Sequence, residues 1–150
     1  MEIRPYSIAD RDACLAVFDS NSPAFFDASE RPGFAAFLDG SKTDYFVMEY
    51  DESIVGWGGF AIDSEHSLAN LLWGMVRLDS HKLGLGRFLL LYRIREISKV
   101  AGVQRVRLRA SQLTAGFFEK QGFKVTDVVK NGYAIGIDRV EMVMKLSVCP

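Results

Sequence analysis

The residues with the clearest chemical potential lie in one short segment, His81-Lys82-Leu83-Gly84-Leu85-Gly86-Arg87. Glycine at positions 84 and 86 accepts positive φ and lets a ligand approach the backbone closely. His81, Lys82 and Arg87 add cationic side chains. An apolar run precedes the segment and a helical pattern follows it, which predicts a turn from a strand into a helix. Because the free N–H groups at a helix N-terminus bind anions, we expect a phosphate site whose ligand is a phosphorylated cofactor.

The elements that position this turn are a strand and a helix. Leu68–Leu78 is almost continuously apolar, which predicts a central strand buried on both faces. Trp73 is interpreted as a core residue, and the adjacent glycine, Gly74, predicts a bulge or a close backbone approach. The segment Arg87–Ala101 has apolar residues at helical spacing and is predicted to be a helix that stops at Gly102.

Hydrophobic periodicity and turn residues predict the remaining elements. Strands are expected at Glu2–Tyr6, Tyr45–Tyr50, Ser53–Ile62, Arg105–Ala110, Phe123–Val129 and Val140–Leu146. Helices are expected from Ser7 through Phe18, after Pro32, and over Thr114–Gln121, with a glycine-bearing loop at Lys130–Arg139. The fold class is therefore α/β, a mixed sheet of six or seven strands with helices on both faces, in a single domain spanning residues 1–150.

Composition excludes several classes of function. The net charge of −1 over 150 residues gives no basic surplus for binding nucleic acid. Cys14 and Cys149 have neither metal-ligand nor redox spacing, so we expect no metal and a reduced, cytoplasmic environment. No apolar run reaches the ~18 residues of a membrane span, and the first residues lack a secretory signal, so no membrane partner is expected.

Two motifs and the order of elements resemble the GCN5-related N-acetyltransferase (GNAT) family over essentially the whole chain. The family's acetyl-CoA signature, Gln/Arg-x-x-Gly-x-Gly/Ala, is similar to His81-Lys82-Leu83-Gly84-Leu85-Gly86. A second landmark of the family, Tyr-Glu-Lys-x-Gly-Phe, is similar to Phe118-Glu119-Lys120-Gln121-Gly122-Phe123. The resemblance implies a GNAT-like N-acetyltransferase domain over residues 1–150, with acetyl-CoA as cosubstrate.

The resemblance also implies roles for individual residues. In the family, the pantetheine arm pairs with the central strand, here Met75, Val76 and Leu78, and the backbone N–H of Val76 would hold the oxyanion. Phe118 would pack against the cofactor arm. The backbone amides of the turn bind the pyrophosphate, which implies that role for His81, Lys82, Leu83, Gly84, Leu85, Gly86 and Arg87.

Three residues depart from the family pattern. His81 stands where Gln or Arg is usual. Phe118 stands where the family often has the tyrosine that protonates the departing thiolate, and Asn70 stands where one branch has a glutamate base. The acid and the base are therefore unassigned, and Tyr133, in the expected loop between the last strands, is the most available substitute acid. Their absence does not exclude catalysis, because positioning alone can contribute more than acid–base assistance.

The implied activity is acetyl transfer from acetyl-CoA to a primary amine of a small molecule or peptide, by direct attack in a ternary complex. A non-catalytic acyl-CoA-binding sensor is the alternative from a different class, and a nucleotide-binding regulatory domain is a third. A dinucleotide fingerprint, however, needs a third glycine where Leu89 stands. The acceptor would be selected by the loops Ser20–Arg31, Asp63–Ser67 and Lys130–Arg139. Whether the chain forms a homodimer is left open.

Overall fold

The computed structural model describes residues 1–22, 24–25, 27–40 and 44–146. The strands within these residues are β1 (Glu2–Pro5), β2 (Tyr45–Tyr50), β3 (Ser53–Asp63), β4 (Leu68–Val76), β5 (Arg105–Ala110), β6 (Lys124–Ala134) and β7 (Ile137–Lys145). The α-helices are α1 (Arg11–Asn21), α2 (Arg31–Asp39), α3 (Leu85–Ser98) and α4 (Ala115–Lys120). None of the helices in this described part is long and apolar enough to cross a membrane.

The strands form one mixed sheet in the order β1-β2-β3-β4-β5-β7-β6. Strand β4 runs parallel to β5, with Leu68–Asn70 beside Arg105–Arg107. The pairs β1–β2, β2–β3, β5–β7 and β6–β7 are antiparallel. The seven strands confirm the α/β fold class and the mixed sheet predicted from the sequence.

The chain divides into two compact units. The first contains Met1–Gly59 and Leu72–Arg93, and the second contains Phe60–Leu71 and the described residues from Ile94 onward. Strands β3 and β4 contribute to both units. The single domain over residues 1–150 therefore stays a prediction.

The core of the first unit lies on both faces of its part of the sheet. On one face, Phe34 of α2 stacks on Trp57 of β3 with ring centroids 4.2 Å apart. On the other face, Met48 of β2 belongs to an apolar cluster with Leu85 and Leu89 of α3. The residue before Met48, Val47, belongs to the α1–α2 cluster, and successive strand residues point to opposite faces. Helices α1 and α2 therefore cover one face and α3 covers the other.

The hairpin β6–β7 in the second unit corrects a prediction. The segment Lys130–Arg139 is not a loop, because strand structure continues to Ala134 and resumes at Ile137. Asn131, at φ +56°, donates its backbone N–H to the Asp138 carboxylate at 2.9 Å. The Asn131 side chain in turn accepts the N–H of Gly136 at 2.7 Å. These polar contacts satisfy the irregular backbone and allow the strands to extend to the tip.

Candidate functional site

The turn after β4 is a short 3-10 helix, Leu78–Leu83, and this corrects the assignment of Leu78 to the strand. The Arg77 N–H makes a sheet bond to the carbonyl of Val55 on β3 at 2.7 Å. The Ser80 N–H then donates to the Arg77 carbonyl at 2.9 Å, which begins the 3-10 helix. Leu78 is apolar but exposed, so the interpretation of its hydrophobicity as strand burial was wrong.

Gly84 separates the 3-10 helix from α3 and sets the direction of the helix. Its φ is +77°, and no heavy atom lies within 4 Å of the position that a Cβ would occupy. The Phe88 N–H donates to the Gly84 carbonyl at 3.1 Å, so α3 begins at Leu85 and not at the predicted Arg87. The amides of Leu85, Gly86 and Arg87 precede this first helical bond and have no acceptor within α3. Gly84 thus leaves open space beside a helix N-terminus that suits an anion.

The side chains of the turn are mostly outside the core. Leu83 is 61% exposed, and His81 and Arg87 are also exposed, whereas Leu85 is buried in the α3 cluster. For Lys82 the structure describes the backbone alone. The residues implied as pyrophosphate ligands therefore lie together in one continuous backbone turn, and four of them, His81, Leu83, Gly84 and Arg87, are exposed.

Val76 is the last residue of β4. Its backbone carbonyl accepts two hydrogen bonds from side chains, and the direction of its backbone amide follows from the alternation along the strand. Its carbonyl accepts hydrogen bonds from Asn21 Nδ2 at 2.9 Å and from His81 Nε2 at 2.7 Å. Because a carbonyl oxygen only accepts, His81 must carry a proton on Nε2 in this contact. The next amide, that of Arg77, points toward β3, and amides alternate along a strand, so the Val76 N–H points to the opposite edge of β4. That orientation leaves the Val76 amide directed away from β3.

Asn21 is a site residue that sequence reasoning missed. It ends α1, is 1% exposed, and also donates Nδ2 to the Val17 carbonyl at 3.1 Å. Its Oδ1 atom has no hydrogen-bond partner among the described residues. In the sequence, Asn21 precedes Ser22 and a proline and is typical of a helix stop, so no local signal indicates its contact with Val76.

The backbone is irregular at Trp73, next to Gly74, for which the sequence predicted a bulge or a close backbone approach. Trp73 has φ +34°, and its carbonyl accepts a hydrogen bond from Tyr45 Oη at 2.9 Å. Burial raises the pKa of Tyr45 well above its usual value, so this hydroxyl stays a neutral donor. The Trp73 ring lies 5.1 Å from that of Phe34, so this half-buried tryptophan packs against the core cluster of α1 and α2. Gly74 is exposed although β4 is an interior strand of the sheet.

The remaining candidate residues lie in the second compact unit. Phe118 is half-buried and forms edge-to-face contacts with Phe117 and Phe123 at 5.1 and 5.9 Å. Tyr133 is half-buried on β6 and does not lie in the predicted loop. Asn70 accepts a hydrogen bond from Arg107 Nε at 2.7 Å, so its amide oxygen is already engaged.

A cavity of about 470 Å³ lies elsewhere in the first unit, beside β1, α1 and β3. It is lined by Arg4, Glu49 and Arg77, and none of residues 78–87 contributes to it. Arg4 is paired with Asp10 at 2.8 Å and with Glu49 at 2.6 Å, so its charge is already compensated. Within the described residues, no group of three or more His, Cys, Asp or Glu side chains is arranged to hold a metal ion.

Comparisons with known proteins identify the family. A family model for the acetyltransferase (GNAT) domain matches residues 15–146. The chain belongs to the GNAT acetyltransferase family. This membership confirms the resemblance inferred from the His81–Gly86 and Phe118–Phe123 motifs, and with it the acyltransferase class of enzyme. No curated protein has a significantly similar sequence.

Solved GNAT structures share the fold of the whole chain. The ribosomal-protein-S18-alanine N-acetyltransferase from Escherichia coli is 21% identical, with a TM-score of 0.79 over 99% of this chain and 96% of that one. An aminoglycoside 6′-N-acetyltransferase complexed with coenzyme A is 14% identical, with a TM-score of 0.77 over 100% of this chain and 99% of that one. The PaiA N-acetyltransferase from Thermoplasma acidophilum, in complex with coenzyme A, is 20% identical, with a TM-score of 0.74 over 97% of this chain and 98% of that one. At these identities the likeness establishes the GNAT fold.

Proposed function

We propose that the protein transfers an acetyl group from acetyl-CoA to a primary amine of a small molecule or peptide, by direct attack in a ternary complex. The observation that supports this most strongly is the backbone of β4 and the turn after it. There the Val76 amide is directed away from β3, and the open Gly84 turn follows within the same stretch of chain. The N-acetyltransferase names of the three structurally similar proteins support nitrogen as the accepting atom.

The residues of the turn suit the diphosphate of the cosubstrate. The first-turn amides of α3 and the positive end of its dipole favour phosphate oxygens, and Gly84 places no side chain in front of them. Arg87 is exposed beside these amides and adds guanidinium donors, whereas the Nε2 proton of His81 is already donated to the Val76 carbonyl. The exposed backbone at Gly74 suits the pantetheine arm, whose amides need strand-like partners.

The Val76 amide is suited to polarise the carbonyl under attack. Acetyl-CoA supplies the acetyl group as an activated thioester. As the amine nitrogen bonds to the acetyl carbon, the C–S bond breaks, the thiol leaves as thiolate, and one amine proton is lost while the thiolate gains one. The Val76 N–H would stabilise the negative charge that develops on the carbonyl oxygen. We propose that the backbone of Met75, beside it, contacts the pantetheine arm.

Proton transfer needs an acid and a base other than those that the family often uses. Asn70 and Phe118 lack the groups that the family often uses as base and acid. We propose Tyr133 as the acid that protonates the thiolate, supported by its half-buried hydroxyl-bearing side chain on the β6–β7 hairpin. A thiol has a pKa of about 8.5, so the thiolate is a tolerable leaving group and we expect Tyr133→Phe to lower kcat only about tenfold.

Thiol release from acetyl-CoA across a panel of small-molecule and peptide amines tests the function. We expect coenzyme A to bind in calorimetry and at least one amine to be acetylated, with the product identified by mass spectrometry. Binding of coenzyme A without turnover on any amine would favour the non-catalytic sensor. Protection against melting by ATP or NAD, but not by coenzyme A, would instead favour the nucleotide-binding domain and contradict the proposal.

A further inference from the structure

Arg93 is a buried cation that has no role in the acetyl transfer proposed above. It lies on α3 and is 4% exposed. Its guanidinium lies against the two strands beneath the helix, at positions where both strands have glycine. A Cβ built on Gly58 of β3 would lie 3.1 Å from this group, and one on Gly74 of β4 would lie 2.8 Å from it. The guanidinium therefore occupies space that any larger residue at these positions would fill.

The charge of Arg93 is poorly compensated. The described residues provide no ion pair for it, and its Nη1 donates a long hydrogen bond of 3.4 Å to the Gly59 carbonyl. Its Nε has no partner among them. Burial lowers the pKa of Arg93 to about 10, which still leaves it cationic at neutral pH. A buried charge without a counter-ion destabilises a fold, so this arginine requires an explanation other than stability.

The position of Arg93 connects it to the candidate site. Gly74 lies two residues before Val76 on β4, and its neighbour Trp73 has the strained φ of +34°. The Trp73 carbonyl is held by Tyr45, and the Val76 carbonyl by Asn21. Arg93, Tyr45 and Asn21 are thus three buried polar side chains around the backbone of residues 73–76. Arg93 is the one that contributes a full positive charge.

We propose that Arg93 is a positioning residue whose buried charge lies beneath Gly74 and makes this part of β4 electropositive, which strengthens the polarisation of the acetyl carbonyl by the Val76 amide. The inference rests on the proposed function, since it deepens the role of that amide. Two residues of strand span about 6–7 Å, so the charge acts over roughly 8–10 Å. In a partly buried setting, that interaction corresponds to about a ten- to thirty-fold effect on rate.

A functional and a structural role predict opposite changes in stability. Replacing a buried, unpaired charge by an apolar side chain of similar length is often neutral or stabilising. If Arg93 serves the chemistry, Arg93→Met therefore keeps or raises the melting temperature of the ligand-free protein while kcat falls about ten- to thirty-fold. The KM for acetyl-CoA should stay within about twofold, because the pyrophosphate turn is unchanged. Arg93→Lys, which keeps the charge, should retain more kcat than Arg93→Met.

The matched control is Arg95→Met, the same substitution at an exposed position of α3. The Arg95 side chain is 67% exposed. We therefore expect the Arg95→Met protein to have nearly the same melting temperature and kcat as the wild type. A fall in the melting temperature of Arg93→Met together with a loss of acetyl-CoA binding would mark a structural role and overturn the inference. An unchanged kcat in a folded Arg93→Met protein would overturn it equally.

If Arg93→Met does not fold, Arg93→Gln decides. It removes the charge but keeps a polar side chain that is able to donate a hydrogen bond, as Arg93 does to the Gly59 carbonyl. We expect the same ten- to thirty-fold fall in kcat at constant KM, and an unchanged kcat would contradict the inference.

Infrared spectra of bound [1-13C]acetyl-CoA separate the inference from the proposed function. In the absence of an amine, the carbonyl band should lie at lower frequency in the wild type than in Arg93→Met, because the charge polarises the bond. Equal band positions would overturn the role of Arg93 even if the wild type acetylates amines. Failure of the wild type to bind acetyl-CoA would overturn the proposed function, whereas binding without turnover leaves both the infrared and the melting measurements able to test Arg93.

Discussion

The β4 segment Trp73–Val76 and the turn Leu78–Arg87 follow one another in the chain but are built in opposite ways. In the first, buried side chains hold the backbone: Tyr45 on one carbonyl and Asn21 on another. In the second, most side chains are exposed and a glycine at φ +77° sets the direction of the amides. In the proposed function, the first region would polarise a carbonyl with an amide whose orientation is enforced from within the core. The second would bind a diphosphate with accessible amides on a correctly bent backbone.

The largest effect that this comparison predicts is on Gly84. Substitution Gly84→Val puts a β-branched residue at positive φ and a side chain into the open space beside the α3 amides. We expect coenzyme A affinity to fall at least about tenfold, measured by calorimetry, because the amides become obstructed. The free energy of unfolding should fall by only about 1–2 kcal/mol.

Gly102 offers the matched control for that experiment. It has φ +85° and, like Gly84, no heavy atom within 4 Å of its Cβ position, but it follows the end of α3. Gly102→Val should therefore cost a similar free energy of unfolding and leave coenzyme A binding unchanged. Equal losses of affinity in the two variants would mean that backbone strain, and not access to the turn, controls binding.

A smaller effect is expected for the buried support of β4. Tyr45→Phe leaves the Trp73 carbonyl without its donor, which should lower the free energy of unfolding by about 1–2 kcal/mol. Because the loosened backbone leads directly to Val76, kcat should also fall several-fold while the KM for acetyl-CoA stays constant.

The same substitution at Tyr6 provides the comparison. Tyr6 donates its hydroxyl to the Leu38 carbonyl at 3.1 Å, away from β4. We expect Tyr6→Phe to lower stability as well but to leave kcat unchanged, as followed by urea unfolding and thiol release. If both variants lost kcat in proportion to their loss of stability, the result would contradict a specific role of the buried donors around β4.

The smallest effect is expected for His81, which belongs to both regions. The Val76 carbonyl keeps its bond from Asn21 when His81 is replaced, so His81→Ala should cost less than about 1 kcal/mol of unfolding free energy. We expect coenzyme A affinity to weaken two- to three-fold in His81→Ala, and His81→Gln to restore it. Complete loss of binding in His81→Ala would show that the turn depends on a side chain more than on its backbone.

The sequence predicted the turn and its helix because glycines and apolar periodicity are local signals. It misplaced Leu78, since apolar character does not reveal that the Arg77 carbonyl accepts a 3-10 bond from Ser80. It also misassigned Lys130–Arg139, because glycines near a strand end are typical of a loop, whereas here the cross-strand pairing of Asn131 with Asp138 extends the hairpin.

The buried polar residues were missed for a different reason. Arg93 lies on a helix where a cation is ordinarily solvated, and its burial depends on Gly58 and Gly74, which are distant in sequence. Asn21 likewise contacts Val76 across 55 positions. Such pairings are properties of tertiary packing. The glycines at positions 58 and 74, in two strands that a helical arginine faces, are the signal that could have indicated the burial of Arg93.

The lone charge of Arg93 has a consequence for directed evolution. A library selected for heat resistance alone should exchange this arginine for methionine or leucine, since that replacement removes an unpaired ion from the interior. A library selected for turnover should retain it. Sequencing codon 93 in the selected variants would therefore show whether each population had been selected for heat resistance or for turnover.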